Sequence, residues 1–275
     1  MSYAAIITHV QADPDAAPRL VCAVDMADRF SAAIIGVGVE MLPPLAFDSG
    51  YYGVQTDWTS VMADVVDERL KAARNSFTTA AKGLGERAVW LSGVQLPTPA
   101  LAAASRAADL VVAGGQAHRR LDPYRDAGPA ELALTCGRPV LVAPSQGPRL
   151  EAKRIVLAWK DTREARRALS DSLPFLERAE AVVVVEVCGT NDADQAQVRT
   201  DDVAGALKRR GVAAEGKVIA KPHAGAEQVL FEASQNGADL IVAGAYGHSR
   251  LGEWVFGGFT LDLLSQDQHH LLLSH

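Results

Sequence analysis

Short runs of apolar residues alternate along this sequence with longer segments in which apolar residues recur every three or four positions. The run at 181–187 is almost pure valine, and its length and β-branched composition are those of a strand buried on both faces. In the segment before it, Ala165, Ala168 and Leu169 follow the spacing of one face of a helix. Strands that alternate with helices in this way predict an α/β protein with a parallel sheet covered on both sides.

The same pattern predicts about five strands in each half of the chain. Strands are expected near 4–10, 32–39, 87–92 and 109–113, then near 154–158, 181–187, 215–220 and 240–243, and each half closes on one more apolar run. Helices are expected between them, and Asp161 is the predicted N-cap of the helix after residue 158, with Glu164 three positions on. Each half is therefore predicted to be a small, doubly wound, Rossmann-like domain.

The two halves of the sequence repeat each other. The stretch AADLVVAGGQAHRRL of the first half aligns without a gap with GADLIVAGAYGHSRL of the second, at a constant offset of 130 residues. Asp109 and Gly114 thus recur as Asp239 and Gly244, and the closing apolar runs align at the same offset. The chain is predicted to be a tandem duplication.

A segment rich in Pro, Gly, Ser and charge, near 143–153, separates the two halves. It predicts a first domain at 1–147 and a second at 148–275. The first domain also contains an insertion at about 41–58, rich in Pro, Gly and aromatic residues, with no clear counterpart in the second. We interpret the insertion as a flap over apolar surface or a dimer contact, with a ligand lid as the alternative.

Composition and charge limit the classes of partner. The formal net charge of −6 and the pI near 5.6 argue against non-specific binding to nucleic acid or to an anionic membrane. No apolar run approaches the roughly 20 residues that span a bilayer. The first residues lack the basic start of a signal peptide, so we expect a cytoplasmic protein.

Three cysteines, Cys22, Cys136 and Cys188, lie far apart, with no Cys-x-x-Cys pair and no histidine at metal-ligand spacing. We expect them to be small buried side chains rather than catalytic or redox thiols. No residue is predicted to be catalytic or to bind a metal, because no side chain is placed as a convincing general base and no ligand cluster stands out.

The stretch 239–260 is the strongest candidate for a binding site. It starts as a buried strand, breaks into glycine at Gly244 and Gly247, and reaches Gly257 just before a helical pattern. Glycine lets the backbone approach a ligand, and the first N–H groups of a helix have no internal partner, so this arrangement favours an anion. Lys160 follows the first strand of the same half and is expected at the same carboxyl edge of the sheet, where open α/β sheets bind ligands.

The spacing Gly244, two residues, Gly247, nine residues, Gly257 resembles the nucleotide-binding motif of the universal stress protein family, Gly-x2-Gly-x9-Gly followed by Ser or Thr. The run IVLAWKDTREARRAL and the closing LLLSH are also similar to the family, so the resemblance spans nearly the whole chain as a tandem member. It implies a fold like that of the adenine nucleotide alpha hydrolases. It also implies an adenine nucleotide, ATP with or without Mg²⁺, bound by the second half in a stress-response module.

Two positions depart from the family pattern. Gly258 stands where the family has Ser or Thr, which removes a hydroxyl that would contact phosphate, and Thr260 is a candidate replacement two positions later. Lys160 stands where many members have Asp, so that a cation replaces an acceptor. The site residues that the resemblance implies are Lys160, Gly244, Gly247, Gly257, Gly258 and Thr260.

The first half lacks the complete motif. The constant offset places Ala117 at the position of Gly247 and Ala127 at that of Gly257. Two Cβ atoms would intrude where the backbone should approach a phosphate. We therefore expect a degenerate first domain that supplies an interface.

The resemblance further implies that the two halves form an internal pseudo-dimer and that the chain can dimerise again. Any catalysis would be slow hydrolysis of ATP. Two alternatives stay open: a nucleotide-free interaction or scaffold protein on the same fold, and an enzyme of a related α/β family that uses ATP to activate a substrate.

Overall fold

Strands and helices alternate along both halves of the chain in a computed structural model that describes residues 2–42, 55–116, 120–221, 225–245 and 258–275. The first half contains β1 (Ala5–His9), α1 (Ala17–Arg29), β2 (Ala33–Glu40), α2 (Gln55–Ala80), β3 (Ala88–Val94), α3 (Pro97–Ala104), β4 (Leu110–Gly114), α4 (Pro129–Thr135) and β5 (Val140–Ala143). The second half contains β6 (Arg154–Ala158), α5 (Arg163–Leu176), β7 (Ala181–Cys188), α6 (Ala193–Lys208), β8 (Ala214–Ala220), α7 (Ala226–Gln235), β9 (Leu240–Gly244), α8 (Gly258–Leu264) and β10 (His270–Ser274).

All ten of these strands lie in one sheet, in the order β3-β2-β1-β4-β5-β10-β9-β6-β7-β8. Each half therefore has the same order, with its third strand outermost and its fifth strand at the centre. Neighbouring strands within each half are parallel. β5 and β10 pair antiparallel where the halves meet. The predicted α/β class, with two tandem doubly wound domains of five strands each, is confirmed.

Helices cover the sheet on both faces and create two apolar cores. One core contains Leu20 and Met26 of α1, Phe77 of α2, Phe175 of α5 and Leu207 of α6. The other contains Leu101 of α3, Leu132 of α4, Val229 of α7 and Leu263 of α8. Successive strand residues alternate between the cores, as Ile6 and Ile7 do. This is why the strands are apolar at nearly every position. In the described part of the chain, no helix has the length and apolar character needed to cross a bilayer.

The joint between the halves consists of strand pairing and aromatic packing. β5 and β10 contribute aliphatic residues in register, with Leu272 opposite Leu141. On one face, the rings of Tyr3 and Phe30 from the first half pack against Phe175 from the second, with centroids 5.6 and 5.2 Å from the Phe175 ring. The Tyr3 hydroxyl donates a hydrogen bond of 2.6 Å to the carbonyl of Asp171. Burial raises the pKa of Tyr3, so this hydroxyl stays a donor.

Two details of the sequence prediction are wrong. The N-cap of α5 is Thr162, whose hydroxyl accepts a hydrogen bond from the amide of Ala165. Asp161 instead forms an ion pair with Arg166, one turn along the helix. The predicted insertion is also shorter at its end, because residues 55–58 already belong to α2. Its residues 43–54 lie outside the described part of the chain, and the boundary at 147/148 stays a prediction.

Candidate functional site

The strand order of each half reverses beside its first strand. β6 leads to β7 on one side, whereas β9 lies against the other side of β6, with Ala158 opposite Ala243. Lys160 and Gly244 follow these two residues and lie at the same carboxyl edge. Open α/β sheets bind ligands at such a reversal point, because the loops after the two strands diverge and leave a crevice. Lys160 therefore lies at the same carboxyl edge of the sheet as the end of β9, as the sequence predicts.

Gly244 is in tight contact with the first turn of α5. A Cβ atom built there would lie 2.6 Å from the amide nitrogen of Ala165 and 2.7 Å from the carbonyl carbon of Glu164. Backbone atoms cannot swing aside as a side chain can, so only glycine fits unless the helix moves. This packing brings the N-terminus of a 14-residue helix to the end of β9. The partial positive charge of that terminus favours an anion nearby.

Charged side chains lie at the same edge of the sheet as this contact. Lys160 is exposed, and no ion pair joins it to another described residue. Glu164 is mostly buried, and burial acts to raise the pKa of its carboxyl. Hydrogen bonds with its own amide and the Thr162 side chain, together with the positive charges of Arg163 and His275, outweigh burial and lower that pKa. The edge therefore combines a solvent-exposed cation with an ionised, hydrogen-bonded carboxylate.

The other predicted site residues are described only in part. Gly247 and Gly257 lie outside the described residues. Gly258 is the exposed first residue of α8, and a Cβ there would meet nothing in the described part of the chain within 4 Å. Thr260 is buried in α8. Their roles in ligand binding stay predictions.

The first half has a different group at the position of Lys160. Ile6 and Ile155 pair with equivalent leucines of β4 and β9. Gln11 lies five residues after Ile6, as Lys160 lies five after Ile155, so the two are counterparts. Gln11 is buried, whereas Lys160 is exposed.

Gln11 is held by the chain's own polar groups. Its Nε2 donates to the carbonyl of Arg125 at 2.7 Å and approaches Oδ1 of Asp126 at 3.4 Å. Its Oε1 accepts from Nη2 of the buried Arg19 at 3.1 Å. The turn before α4 is itself closed by the amide of Asp122, which donates to Oδ2 of Asp126 at 2.8 Å. Side chains and this turn thus cover the carboxyl edge of the first half at Gln11.

His9 lies beneath this cover, at the end of β1. Its Nε2 is 2.9 Å from the carbonyl of Val39, so that nitrogen carries the proton and donates. Burial, helped by the positive charge of Arg19, lowers the pKa of His9 to about 3. The imidazole is therefore neutral at physiological pH.

Sequence reasoning missed the polar groups at both edges. Gln11, Arg19 and Asp126 were absent from the predicted site, as were Glu164 and His275. Gln11 could have been found by extending the repeat to the first strands of both halves. Asp126 could not, because it lies 115 positions from Gln11 in the sequence, and Arg19, 8 positions from Gln11, is marked by no motif. The expected burial of Cys22, Cys136 and Cys188 is confirmed.

Comparisons with known proteins address the fold. No protein-family model and no curated protein matches this sequence. Among solved structures, a universal stress protein from Archaeoglobus fulgidus DSM 4304 matches 98% of this chain and 95% of its own, with a TM-score of 0.71 and 13% identity. This chain has the universal stress protein fold. A functionally unknown protein from Pseudomonas aeruginosa PAO1 matches 99% of this chain and 92% of its own, with a TM-score of 0.57 and 12% identity.

A third match is a universal stress protein solved in complex with cAMP. It covers 53% of this chain and 100% of its own, with a TM-score of 0.39 and 18% identity. At that TM-score the match carries no argument about a ligand here. The full-length matches thus show the fold, and the features of this chain that bear on a ligand are Lys160, Gly244 and their surroundings.

Proposed function

We propose that this chain is a tandem universal stress protein whose second half binds an adenine nucleotide, with ATP as the principal ligand. The observation that carries the proposal is the exposed Lys160 at the same carboxyl edge of the sheet as Gly244, where the glycine-rich segment begins. An exposed ammonium that no other described residue pairs with, a nearby helix N-terminus and a glycine-rich backbone together suit a polyphosphate.

The first half supports the proposal by contrast. Gln11 takes the place of Lys160 and is hydrogen-bonded to the turn before α4, which leaves no cation exposed at that position. We therefore propose one nucleotide per chain. Gly247, Gly257, Gly258 and Thr260 complete the proposed site.

The two halves would act as an internal pseudo-dimer, with the domain boundary at 147/148. The antiparallel pairing of β5 with β10 and the contact of Tyr3 and Phe30 with Phe175 support this arrangement. The role in a cytoplasmic stress response rests on the resemblance of the sequence to the family.

Isothermal titration with ATP, with and without Mg²⁺, tests the site. Lys160→Ala is expected to raise the Kd about tenfold, because one charge-assisted contact with phosphate is lost. Gly247→Val is expected to weaken binding as well. Lys208→Ala, which removes an exposed lysine at the end of α6, is the matched control and should leave the Kd unchanged.

Unchanged ATP affinity in both Lys160→Ala and Gly247→Val would show that the site is wrong. Absence of ATP binding by the unmodified chain would favour the scaffold alternative. Turnover of ATP only after addition of a small molecule would favour the enzyme alternative.

A further inference from the structure

The segment that follows β6 carries a surplus of positive charge. Positions 160–166, KDTREAR, contain three cations and two carboxylates. The segment at the same place in the first half, 11–17, reads QADPDAA and contains two carboxylates and no cation. The two counterpart segments therefore have formal charges of opposite sign, +1 in the second half and −2 in the first.

Ion pairs within the segment after β6 leave Lys160 as the surplus cation. Asp161 pairs with Arg166, and Oε1 of Glu164 lies 3.2 Å from Nε of Arg163. Lys160 is exposed and forms no ion pair with another described residue. A lysine ammonium has three donors and no acceptor, so it can bind a phosphate oxygen but has no lone pair to offer a metal ion.

A magnesium ion fits these residues poorly. In nucleotide sites Mg²⁺ is held by one or two carboxylates together with phosphate oxygens and water. The two carboxylates nearest to Lys160 in the sequence, Asp161 and Glu164, are already paired with arginines, and Glu164 is also buried. The N-terminus of α5, which contacts Gly244, adds a partial positive charge. This donor set disagrees with the magnesium ion that the family resemblance allows.

Carboxylates farther along the same edge of the sheet do not change this conclusion. β7 lies on the opposite side of β6 from β9, and its carboxylate Glu186 pairs with Arg199 at 2.6 Å, as does Asp192 at 2.7 Å. Asp194, in the first turn of α6, is exposed and forms no ion pair with a described residue. It follows β7, so β6 lies between it and the strand that ends at Gly244.

We propose that the second half binds its nucleotide as the metal-free polyphosphate, with the Lys160 ammonium in the place of a divalent cation. This inference rests on the proposed function, since it concerns how the same site neutralises its ligand. Lys160 and a phosphate-bound Mg²⁺ repel each other, because both are cations that compete for the same phosphate oxygens. Mg²⁺ therefore acts as a competitor that withdraws free ATP, rather than as a cofactor.

Isothermal titration with ATP in EDTA, and again with excess MgCl₂, tests the proposal. Excess Mg²⁺ is expected to raise the apparent Kd of the unmodified chain at least about tenfold, because nearly all the ATP is then bound to the metal. Sodium chloride at matched ionic strength controls for screening and should have a smaller effect. Native mass spectrometry of the complex formed with ATP in excess over Mg²⁺ should show bound ATP without magnesium.

A change of charge at Lys160 sharpens the test. Lys160→Asp supplies a carboxylate in place of the ammonium, so it should weaken binding in EDTA, and excess Mg²⁺ should now lower the Kd. Lys208→Asp makes the same change at an exposed lysine at the end of α6 and should respond to Mg²⁺ as the unmodified chain does. Asp194→Asn, and Glu253→Gln in the glycine-rich segment, should also leave that response unchanged.

The possible results distinguish this inference from the proposed function. ATP binding by the unmodified chain that is equally tight or tighter with excess Mg²⁺ would overturn the metal-free site and leave the nucleotide site standing. The same Mg²⁺ response in Lys160→Asp as in the unmodified chain would do so too. Tighter binding with Mg²⁺ that Asp194→Asn or Glu253→Gln abolishes would assign the metal to that carboxylate. No ATP binding with or without Mg²⁺ would overturn the proposed function, and this inference with it.

Discussion

The carboxyl edges of the two halves differ, although their strands follow the same plan. β4 and β9 occupy equivalent residues at the offset of 130, and β1 and β6 pair with them in the same register. In the first half, Gln11 is buried among Arg19, Asp126 and the turn before α4. In the second half, Lys160 is exposed at the equivalent position. Within the described residues, one backbone plan therefore carries a covered Gln11 in the first half and an exposed Lys160 in the second.

Gly114 and Gly244, the counterpart glycines at the ends of β4 and β9, differ in the same way. A Cβ at Gly244 would meet backbone atoms of α5 at 2.6 and 2.7 Å, whereas a Cβ at Gly114 would meet the Arg19 side chain at 3.4 Å. A flexible side chain can yield, but a helix backbone cannot. Glycine is thus a steric necessity in the second half and a tolerated residue in the first.

The largest expected effect follows from this contrast. Gly244→Ala should lower the free energy of unfolding by about 3 kcal/mol, because α5 must shift, whereas Gly114→Ala should lower it by less than about 1 kcal/mol. Urea unfolding of the two variants measures the difference. Equal losses in both variants would contradict the close contact between Gly244 and α5.

Placing lysine at Gln11 and glutamine at Lys160, its counterpart, should lower the free energy of unfolding by unequal amounts. Gln11→Lys buries a charge beside Arg19 and should lower the free energy of unfolding by about 2 kcal/mol. Lys160→Gln alters an exposed side chain and should change it by less than about 0.5 kcal/mol. Urea unfolding again supplies the measurement, and a neutral effect of Gln11→Lys would mean that the first edge is open.

The stability of the folded chain should decrease at acidic pH, because His9 is buried in a neutral form beneath the covered edge of the first half. The pKa of His9 in the folded chain, about 3, lies below the ordinary value of 6.5. Between these two pH values, His9 is protonated in the unfolded chain and neutral in the folded chain. Stability is therefore lost as pH falls below 6.5, by about 2 kcal/mol between pH 6.5 and 5. The groups that face His9 are Arg19, Arg125 and Asp126.

His9→Gln keeps a donor for the carbonyl of Val39. It should remove the part of the pH dependence of the unfolding free energy that comes from His9. His270 lies in the second half, and burial lowers its pKa to about 4. It therefore also makes the folded chain less stable as the pH falls, independently of His9. Chemical unfolding at pH 7 and pH 5 compares His9→Gln with the unmodified chain. An identical slope in both would contradict the burial of a neutral His9.

Much of the fold follows from the sequence, and the reasons are local. The valine-rich run of β7 and the helical spacing of α5 each specify an element without reference to the rest of the chain. The repeat around Asp109 and Asp239 then requires two similar domains. The antiparallel pairing of β5 and β10 carries no comparable local signal, because both strands are equally apolar.

The candidate site is harder to predict than the fold. The positions of Lys160 and Gly244 follow from the strand ends, but the contact of Gly244 with α5 joins residues about 80 positions apart. The N-cap was misassigned for a related reason. Asp161 and Thr162 are both good caps by type, and only the backbone geometry selects Thr162.

Native mass spectrometry of the full chain titrated with ATP tests the central claim most directly, because it counts nucleotides per chain. The exposed Lys160 of the second half and the buried Gln11 of the first predict one ATP per chain. They also predict a loss of occupancy in Lys160→Gln and unchanged occupancy in the control Lys208→Gln. Two nucleotides per chain, or one that is retained equally by Lys160→Gln, would contradict the account.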